Sequence, residues 1–171
     1  VSEMCIRDRN TSAIFGFCNS LLEVTNKFDP SHIGVVFDPP GGSDREGVFA
    51  DYKANRQEMP EDIRKAIPYI FDLLKAMNIK VEMEEGFEAD DVIGTLAKQA
   101  EKKGFETYMM TPDKDFGQLV SDHIFIYKPG RSGNPSEILG PKEVCEKFEV
   151  KDPLQVIDIL GLWGDAVDNI P

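Results

Sequence analysis

Three carboxylates fall within four residues, at Glu88, Asp90 and Asp91. Apolar residues recur at helical spacing directly after them, which predicts that they begin an amphipathic helix. One explanation is purely structural, because acids at a helix N-terminus complement the macrodipole by about 0.3–1 kcal/mol each. One carboxylate would suffice for that purpose, and three so close together repel one another unless a cation joins them. The stretch therefore predicts a metal site if further acids converge on it.

Other acids follow the ends of predicted strands. Asp38 follows an apolar strand at 32–37, and Asp113 and Asp115 follow a strand at 105–110. In open parallel sheets, sites form outside the carboxyl ends of the strands. A last pair, near the end of the sequence, is spaced three residues apart, as on one face of a helical turn. The eight predicted site residues are Asp38, Glu88, Asp90, Asp91, Asp113, Asp115, Asp165 and Asp168.

These eight acids account for most of the acidic excess. Taking their charges from the net charge of −12 leaves −4 for the rest of the chain. Oxygen ligands without His or Cys partners suit hard cations, so the predicted cofactor is Mg²⁺ or Mn²⁺, with two or more ions. The pattern predicts metal-assisted hydrolysis, in which one ion activates a water and another, about 3.5–4 Å away, stabilises the leaving oxygen. No Ser/His/Asp or Cys/His arrangement and no Gly-rich P-loop is present.

The elements that must position these acids alternate between helix and strand. This alternation predicts an α/β fold of three layers, with a mainly parallel sheet flanked by helices. The strand at 32–37 is apolar throughout and is expected to be buried on both faces. Helices are predicted at 11–27, 60–77, 88–103, 116–120, 141–148 and 153–162, and strands at 32–37, 79–83, 105–110 and 124–127.

Composition narrows the class of protein further. At 171 residues, with 41% hydrophobic and 29% charged residues, the chain fits one sizeable globular domain. No apolar run approaches the ~20 residues that span a bilayer, so no membrane partner is expected. The absence of a signal peptide and the three cysteines without CxxC spacing predict a cytoplasmic protein. The net charge argues against a polyanionic partner, unless bound metal attracts phosphate to the acids.

Five segments carry a family resemblance. They are FDPP at 37–40, DYKANR at 51–56, GFEADDVIG at 86–94, TPDKD at 111–115 and GDAVDNIP at 164–171. In this order and spacing they resemble the 5′-3′ exonuclease domain of bacterial DNA polymerase I. That domain belongs to the flap-endonuclease family, which has a PIN-like (resolvase-like) fold. The resemblance covers 10–171, an incomplete catalytic domain, and leaves 1–9 as a possible foreign segment.

The resemblance implies metal-dependent hydrolysis of DNA phosphodiesters near a 5′ end, flap or nick, in replication and repair. It implies that the eight acids form the metal site and that the segment 45–59 is an arch that handles the 5′ strand. Within that arch, Arg45, Lys53 and Arg56 would contact phosphates. Tyr52 would stack on a base, a contact worth about 1–3 kcal/mol. A polymerase domain is expected in the same full-length chain.

Two departures from the family pattern affect these expectations. The segment 1–9 contains no apolar strand ending in an Asp, and the sequence stops before the family's Gly-rich helix-hairpin-helix. We therefore expect weak or no nuclease activity from the 171-residue chain. Three alternatives stay open, namely a PIN-type ribonuclease, a non-catalytic DNA-binding fragment and a metal phosphatase for small molecules. The motif at 51–56 and the paired aspartates favour the DNA enzyme.

Overall fold

A computed structural model describes residues 5–6, 9–40, 59–130 and 134–164 of the chain. The chain divides into two compact units. Unit 1 is Val1–Phe37 with Gln57–Glu82, and unit 2 is Asp38–Arg56 with Met83–Pro171. None of the helices in the described ranges has the length and apolar character required to cross a membrane.

Unit 1 combines two helices, a short hairpin and a pair of parallel strands. Leu21 of the first helix packs with Ala66, Ile70 and Leu74 of the second, and Leu74 is fully buried. Both helices place apolar residues at helical spacing, which gives each one a buried face. In chain order, the elements are β1 (Cys5–Ile6), β2 (Arg9–Asn10), α1 (Ser12–Phe28), β3 (Gly34–Val36), α2 (Glu61–Ala76) and β4 (Lys80–Glu82).

The strand that precedes Asp38 is shorter and less buried than the sequence predicted. β3 pairs in parallel with β4, and this is its one pairing among the described strands. Gly34 is exposed, whereas Val35 and Val36 are half-buried. Burial on both faces requires covering layers on each side of a strand. The prediction of a strand buried on both faces is therefore wrong for β3.

Unit 2 contains the second core and all of the candidate site residues. β5 pairs in parallel with β6, and β6 pairs antiparallel with β7. The core includes Phe116, Ile124, Ile126, Val144 and Val156, all at most 3% exposed. In chain order, the elements are α3 (Ala89–Lys102), β5 (Thr107–Met110), the 3₁₀ helix η1 (Asp115–Leu119), β6 (Ile124–Lys128), β7 (Glu137–Leu139), α4 (Pro141–Phe148), the 3₁₀ helix η2 (Pro153–Gln155) and α5 (Val156–Trp163).

The predicted α/β fold is confirmed, and β1, β2 and β7 are strands that the sequence did not predict. β3–β4 and β5–β6 have the parallel pairing that the alternation of helices and strands predicted. β7 was not predicted, and it makes the sheet of unit 2 mixed rather than parallel. Its three residues are too few to display an alternating pattern, and it is stabilised as a strand by its pairing with β6.

Two glycines inside helices differ in what a side chain would meet. A Cβ at Gly16 in α1 would have no heavy atom within 4 Å, whereas one at Gly94 in α3 would lie 2.9 Å from Cδ1 of Leu119. Since glycine costs about 0.5–1 kcal/mol relative to alanine inside a helix, Gly16→Ala should stabilise the chain by that amount. Gly94→Val should destabilise it by about 1–3 kcal/mol, because the side chain would overpack α3 against η1. Urea unfolding followed by circular dichroism measures both changes in stability. Equal effects of the two variants would contradict the open space at Gly16 and the close packing at Gly94.

Candidate active site

The N-terminus of α3 is contacted by one carboxylate from a distant part of the chain and by one from its own first turn. The backbone N–H of Ala89 donates a hydrogen bond to Oδ1 of Asp38 over 2.7 Å, and the two residues are 51 positions apart. The backbone N–H of Glu88 donates to Oδ2 of Asp91 over 3.2 Å. Because the first N–H groups of a helix have no partners inside it, these carboxylates satisfy two of them at the helix start. The structure thus brings Asp38 to the acidic stretch.

The structural explanation of the acidic stretch holds for part of it. Glu88 is the N-cap residue of α3, is 7% exposed, and forms a capping box with Asp91. A capping box satisfies two helix-terminal N–H groups reciprocally, so two of the three acids contribute to helix stability. Asp90 is exposed and takes no part in this capping box, and it lines the cleft beside α3. Capping alone therefore does not account for the whole stretch.

An open cleft of about 650 Å³ lies beside α3. Asp90 and Asp91 line it from α3, and Asp115 lines it from η1. Gly94 leaves room for Leu119 of η1, because a Cβ at that position would lie 2.9 Å from the Leu119 Cδ1 atom and the leucine side chain would have to move. With no side chain there, η1 packs directly on α3, and acids from both elements face one cleft.

The turn between β5 and η1 is held by its own polar groups. Thr111 is 9% exposed, and its hydroxyl accepts a hydrogen bond from the backbone N–H of Asp113 over 3.1 Å. Oδ1 of Asp113 accepts from the backbone N–H of Asp115 over 2.9 Å. Nζ of Lys128 donates to the carbonyl oxygen of Pro112 over 3.3 Å. The first two bonds are local turn chemistry, and the second fixes the direction of the Asp113 carboxylate. The third bond attaches the turn to the end of β6.

Sequence reasoning missed the roles of Thr111 and Lys128. Thr111 stands inside the segment TPDKD, but nothing in the segment distinguishes a buried acceptor from an exposed polar residue. Lys128 ends β6, 16 residues after Pro112, and no spacing rule connects the two positions. Burial lowers the pKa of Lys128, and the nearby Lys147 ammonium lowers it further. The strand pairing of β5 with β6 is what brings this lysine to the turn.

The structure brings the predicted acids together in small sets. Within the described ranges, no three or more His, Cys, Asp or Glu side chains lie close enough to hold a metal ion. Mg²⁺ commonly retains several waters and is bound by one or two carboxylates together with substrate phosphates. Pairs of carboxylates with only oxygen donors fit that mode of binding. Six predicted site residues lie outside the described residues, namely Asp165, Asp168, Arg45, Tyr52, Lys53 and Arg56.

Solved structures of other proteins share the fold of this chain. The 5′-exonuclease of phage T5 with bound zinc ions superposes with a TM-score of 0.76 at 19% identity, over 92% of this chain and 60% of that one. A phage T5 flap endonuclease in a complex with DNA and metal ions superposes with a TM-score of 0.74 at 18% identity, over 91% of this chain and 59% of that one. At such identities the likeness establishes a shared fold. The chain therefore has the α/β fold of the 5′-exonucleases.

Sequence comparison identifies the family. The model of the 5′-3′ exonuclease, N-terminal resolvase-like domain matches residues 5–149. The 5′-3′ exonuclease of Aquifex aeolicus (strain VF5) is 39% identical over 161 residues, which are 94% of this chain and 54% of the relative. DNA polymerase I of Bacillus subtilis (strain 168) is 40% identical over 162 residues, which are 95% of this chain and 18% of the relative. The chain belongs to the 5′-3′ exonuclease, N-terminal resolvase-like domain family.

The resemblance inferred from the five segments is thereby confirmed. The chain spans about half the length of the Aquifex relative and about a fifth of the Bacillus polymerase. The assignment of residues 1–9 to a foreign segment and of 10–171 to the catalytic domain stays a prediction.

Proposed function

We propose that this chain is the nuclease part of a metal-dependent 5′-3′ exonuclease or 5′-flap endonuclease that hydrolyses DNA phosphodiester bonds. The observation that carries the proposal is the 2.7 Å hydrogen bond by which Asp38 joins the acidic start of α3. Family membership supports the reaction, and the DNA complex of the phage T5 relative supports DNA as the substrate. The substrate is DNA with a 5′ end, flap or nick. The wider protein carries a polymerase domain and acts in the bacterial cytoplasm.

The proposed cofactor is Mg²⁺ or Mn²⁺, with two or more ions. Asp90, Asp91 and Asp115 would hold it from the walls of the cleft, with Asp38 and Asp113 beside them. The bound zinc in the phage T5 5′-exonuclease supports a divalent ion. When bound, such an ion polarises a phosphoryl oxygen and lowers the pKa of a bound water.

The chain's own groups supply orientation. Backbone N–H groups at the start of α3 hold the carboxylates of Asp38 and Asp91, and the backbone N–H of Asp115 in the turn after β5 holds that of Asp113. Charged groups that are fixed before the reaction need not reorganise during it, which is the main electrostatic contribution of a preorganised site. The same N-terminus carries the positive end of the helix dipole, which favours an anionic ligand nearby.

Removal of metal tests the proposed reaction. With the chain in excess over a labelled 5′-flap DNA, Mg²⁺ should support cleavage that EDTA reduces to background and that Mg²⁺ or Mn²⁺ then restores. Excess protein makes even slow cleavage visible in a single turnover. Products resolved on a denaturing gel report the position of the cut. Cleavage that persists in EDTA would contradict the proposal.

The alternatives give different results in the same assay. An RNA flap of identical sequence should be cut more slowly than DNA, whereas faster cutting of RNA would indicate a ribonuclease. DNA binding without cleavage in either metal would indicate a non-catalytic fragment. Hydrolysis of a small phosphate ester in the absence of DNA cleavage would indicate a small-molecule phosphatase.

A further inference from the structure

One face of α3 runs from the acids to two lysines. Asp91, Thr95, Lys98 and Lys102 are separated by four, three and four residues, so they share a side of the helix. All four line the same cleft. At a rise of 1.5 Å per residue, the path from Asp91 to Lys102 covers about 16 Å. The cleft thus has an acidic end and a basic end.

We propose that this face of α3 binds the phosphodiester backbone of a DNA strand, with Lys98 and Lys102 as its phosphate ligands. The proposal rests on the nuclease function proposed above and names a contact surface beyond the acidic site. A length of about 16 Å corresponds to four or five nucleotides at about 3.4 Å per nucleotide along one strand. The face therefore matches the stretch of strand next to the bond that is cut.

The charges along the cleft give its two ends different roles. Asp90, Asp91 and Asp115 repel phosphate until a divalent cation joins them, whereas Lys98 and Lys102 attract phosphate with or without metal. Phosphate contacts by lysine are point-charge contacts, which hold a strand without fixing one geometry. The basic end of the cleft can thus bind the strand before the acidic end has bound a metal ion.

The position of the Lys98 ammonium is fixed by its neighbours. Its Nζ lies 3.2 Å from Oε2 of Glu101, and the Lys98 side chain is 42% exposed. The hydroxyl of Ser121 donates a further hydrogen bond to Glu101. That bond, together with the lysine, lowers the pKa of Glu101 and keeps its carboxylate charged. The lysine head is therefore held at the cleft while it remains accessible to a ligand.

Uncharged polar groups complete the face. Thr95 and Gln99 are exposed and line the cleft between the two ends. Hydroxyl and amide groups donate hydrogen bonds to phosphate and sugar oxygens, which position a strand without reading its sequence. We therefore expect this face to bind DNA of any sequence with equal affinity.

Salt-dependent DNA binding tests the proposal. Fluorescence anisotropy in EDTA, at several salt concentrations, would compare the unaltered chain with the double variant Lys98→Gln, Lys102→Gln. Each lost phosphate contact should reduce the slope of log K against log[salt] by about 0.7 for a single strand and 0.9 for a duplex. At 1 M salt these contacts contribute little to the affinity. At 0.1 M salt the loss of two contacts should therefore weaken binding by about 25-fold for a single strand and about 60-fold for a duplex. The variant Lys98→Arg, Lys102→Arg should restore the slope, since it keeps both charges.

A matched control separates the local contact from the change in net charge. Lys65→Gln with Lys142→Gln removes two exposed lysines, each with an i,i+4 glutamate partner, and should leave the slope unchanged. The experiment is carried out with single-stranded DNA and with duplex DNA of the same sequence. A reduced salt slope with either DNA supports the proposal and shows which of the two forms this face binds. Equal slopes for the two double variants would overturn it. Failure of the nuclease proposal is distinct, because it would show in the cleavage assay, as DNA cleavage that persists in EDTA.

Discussion

Replacement of Asp115 by asparagine is expected to lower the rate of Mg²⁺-dependent DNA cleavage by about 10²- to 10³-fold. Asp115 lines the cleft with Asp90 and Asp91, and its Oδ1 atom is shielded from solvent. Loss of a carboxylate from a metal site removes several kcal/mol of transition-state charge stabilisation, and each 1.36 kcal/mol is a factor of ten in rate. Single-turnover cleavage of the labelled 5′-flap DNA measures the effect directly.

A matched control distinguishes this effect from a loss of negative charge or of structure. Asp122→Asn makes the same chemical change at an exposed position in the turn before β6. It should leave the rate within about twofold, as expected for a screened surface charge. The turn should survive in the Asp115 variant, because its bond to Asp113 is donated by the backbone N–H. Equal rates for the two variants would exclude Asp115 from the metal site.

Truncation of Phe116 to alanine is expected to lower the free energy of unfolding by about 3–5 kcal/mol. Phe116 is 3% exposed and belongs to the core of unit 2. Its removal leaves a cavity that the surrounding elements fill only in part. Because Phe116 directly follows Asp115 in η1, the change should also loosen one wall of the cleft. Denaturant unfolding monitored by circular dichroism measures the loss of stability.

Phe116→Leu serves as the conservative control. It retains an apolar side chain of similar volume, so the cost should be below about 1.5 kcal/mol. Cleavage assayed well below the unfolding temperature should then remain close to that of the unaltered chain. A loss of less than 1 kcal/mol in the alanine variant would contradict the burial of this ring.

Periodicity in the sequence was enough to locate the helices. α4 coincides with the predicted 141–148, and α1 begins and ends within one residue of the predicted bounds. Pro141 at the first helical position and the hydrogen bond from the backbone N–H of Gly140 to Oε2 of Glu143 mark the start of α4 locally. Such boundaries depend on neighbours in sequence and can therefore be read from it. The bounds of β3 and the existence of β7 depend on pairing partners elsewhere in the chain, which local patterns do not reveal.

The candidate site also has a part that could be predicted from the sequence and a part that could not. The acids at strand ends and at the start of α3 could be named from residue type and position. The basic end of the cleft could not, because a lysine four residues from another on a helix is most often a solvated surface pair. The support from Thr111 and Lys128 was likewise hidden, since it arises from burial and from the pairing of β5 with β6.

The hydrogen bond from Ala89 to Asp38 has a consequence for how the chain folds. It closes a segment of 51 positions, and loop-closure entropy must be overcome before such a contact gives any stabilisation. The acids at the start of α3 are neighbours in sequence, whereas Asp38 reaches them only when this segment is closed. Doubling the length of the intervening segment would cost only about 0.6 kcal/mol, so this contact tolerates insertions in the chain that it closes.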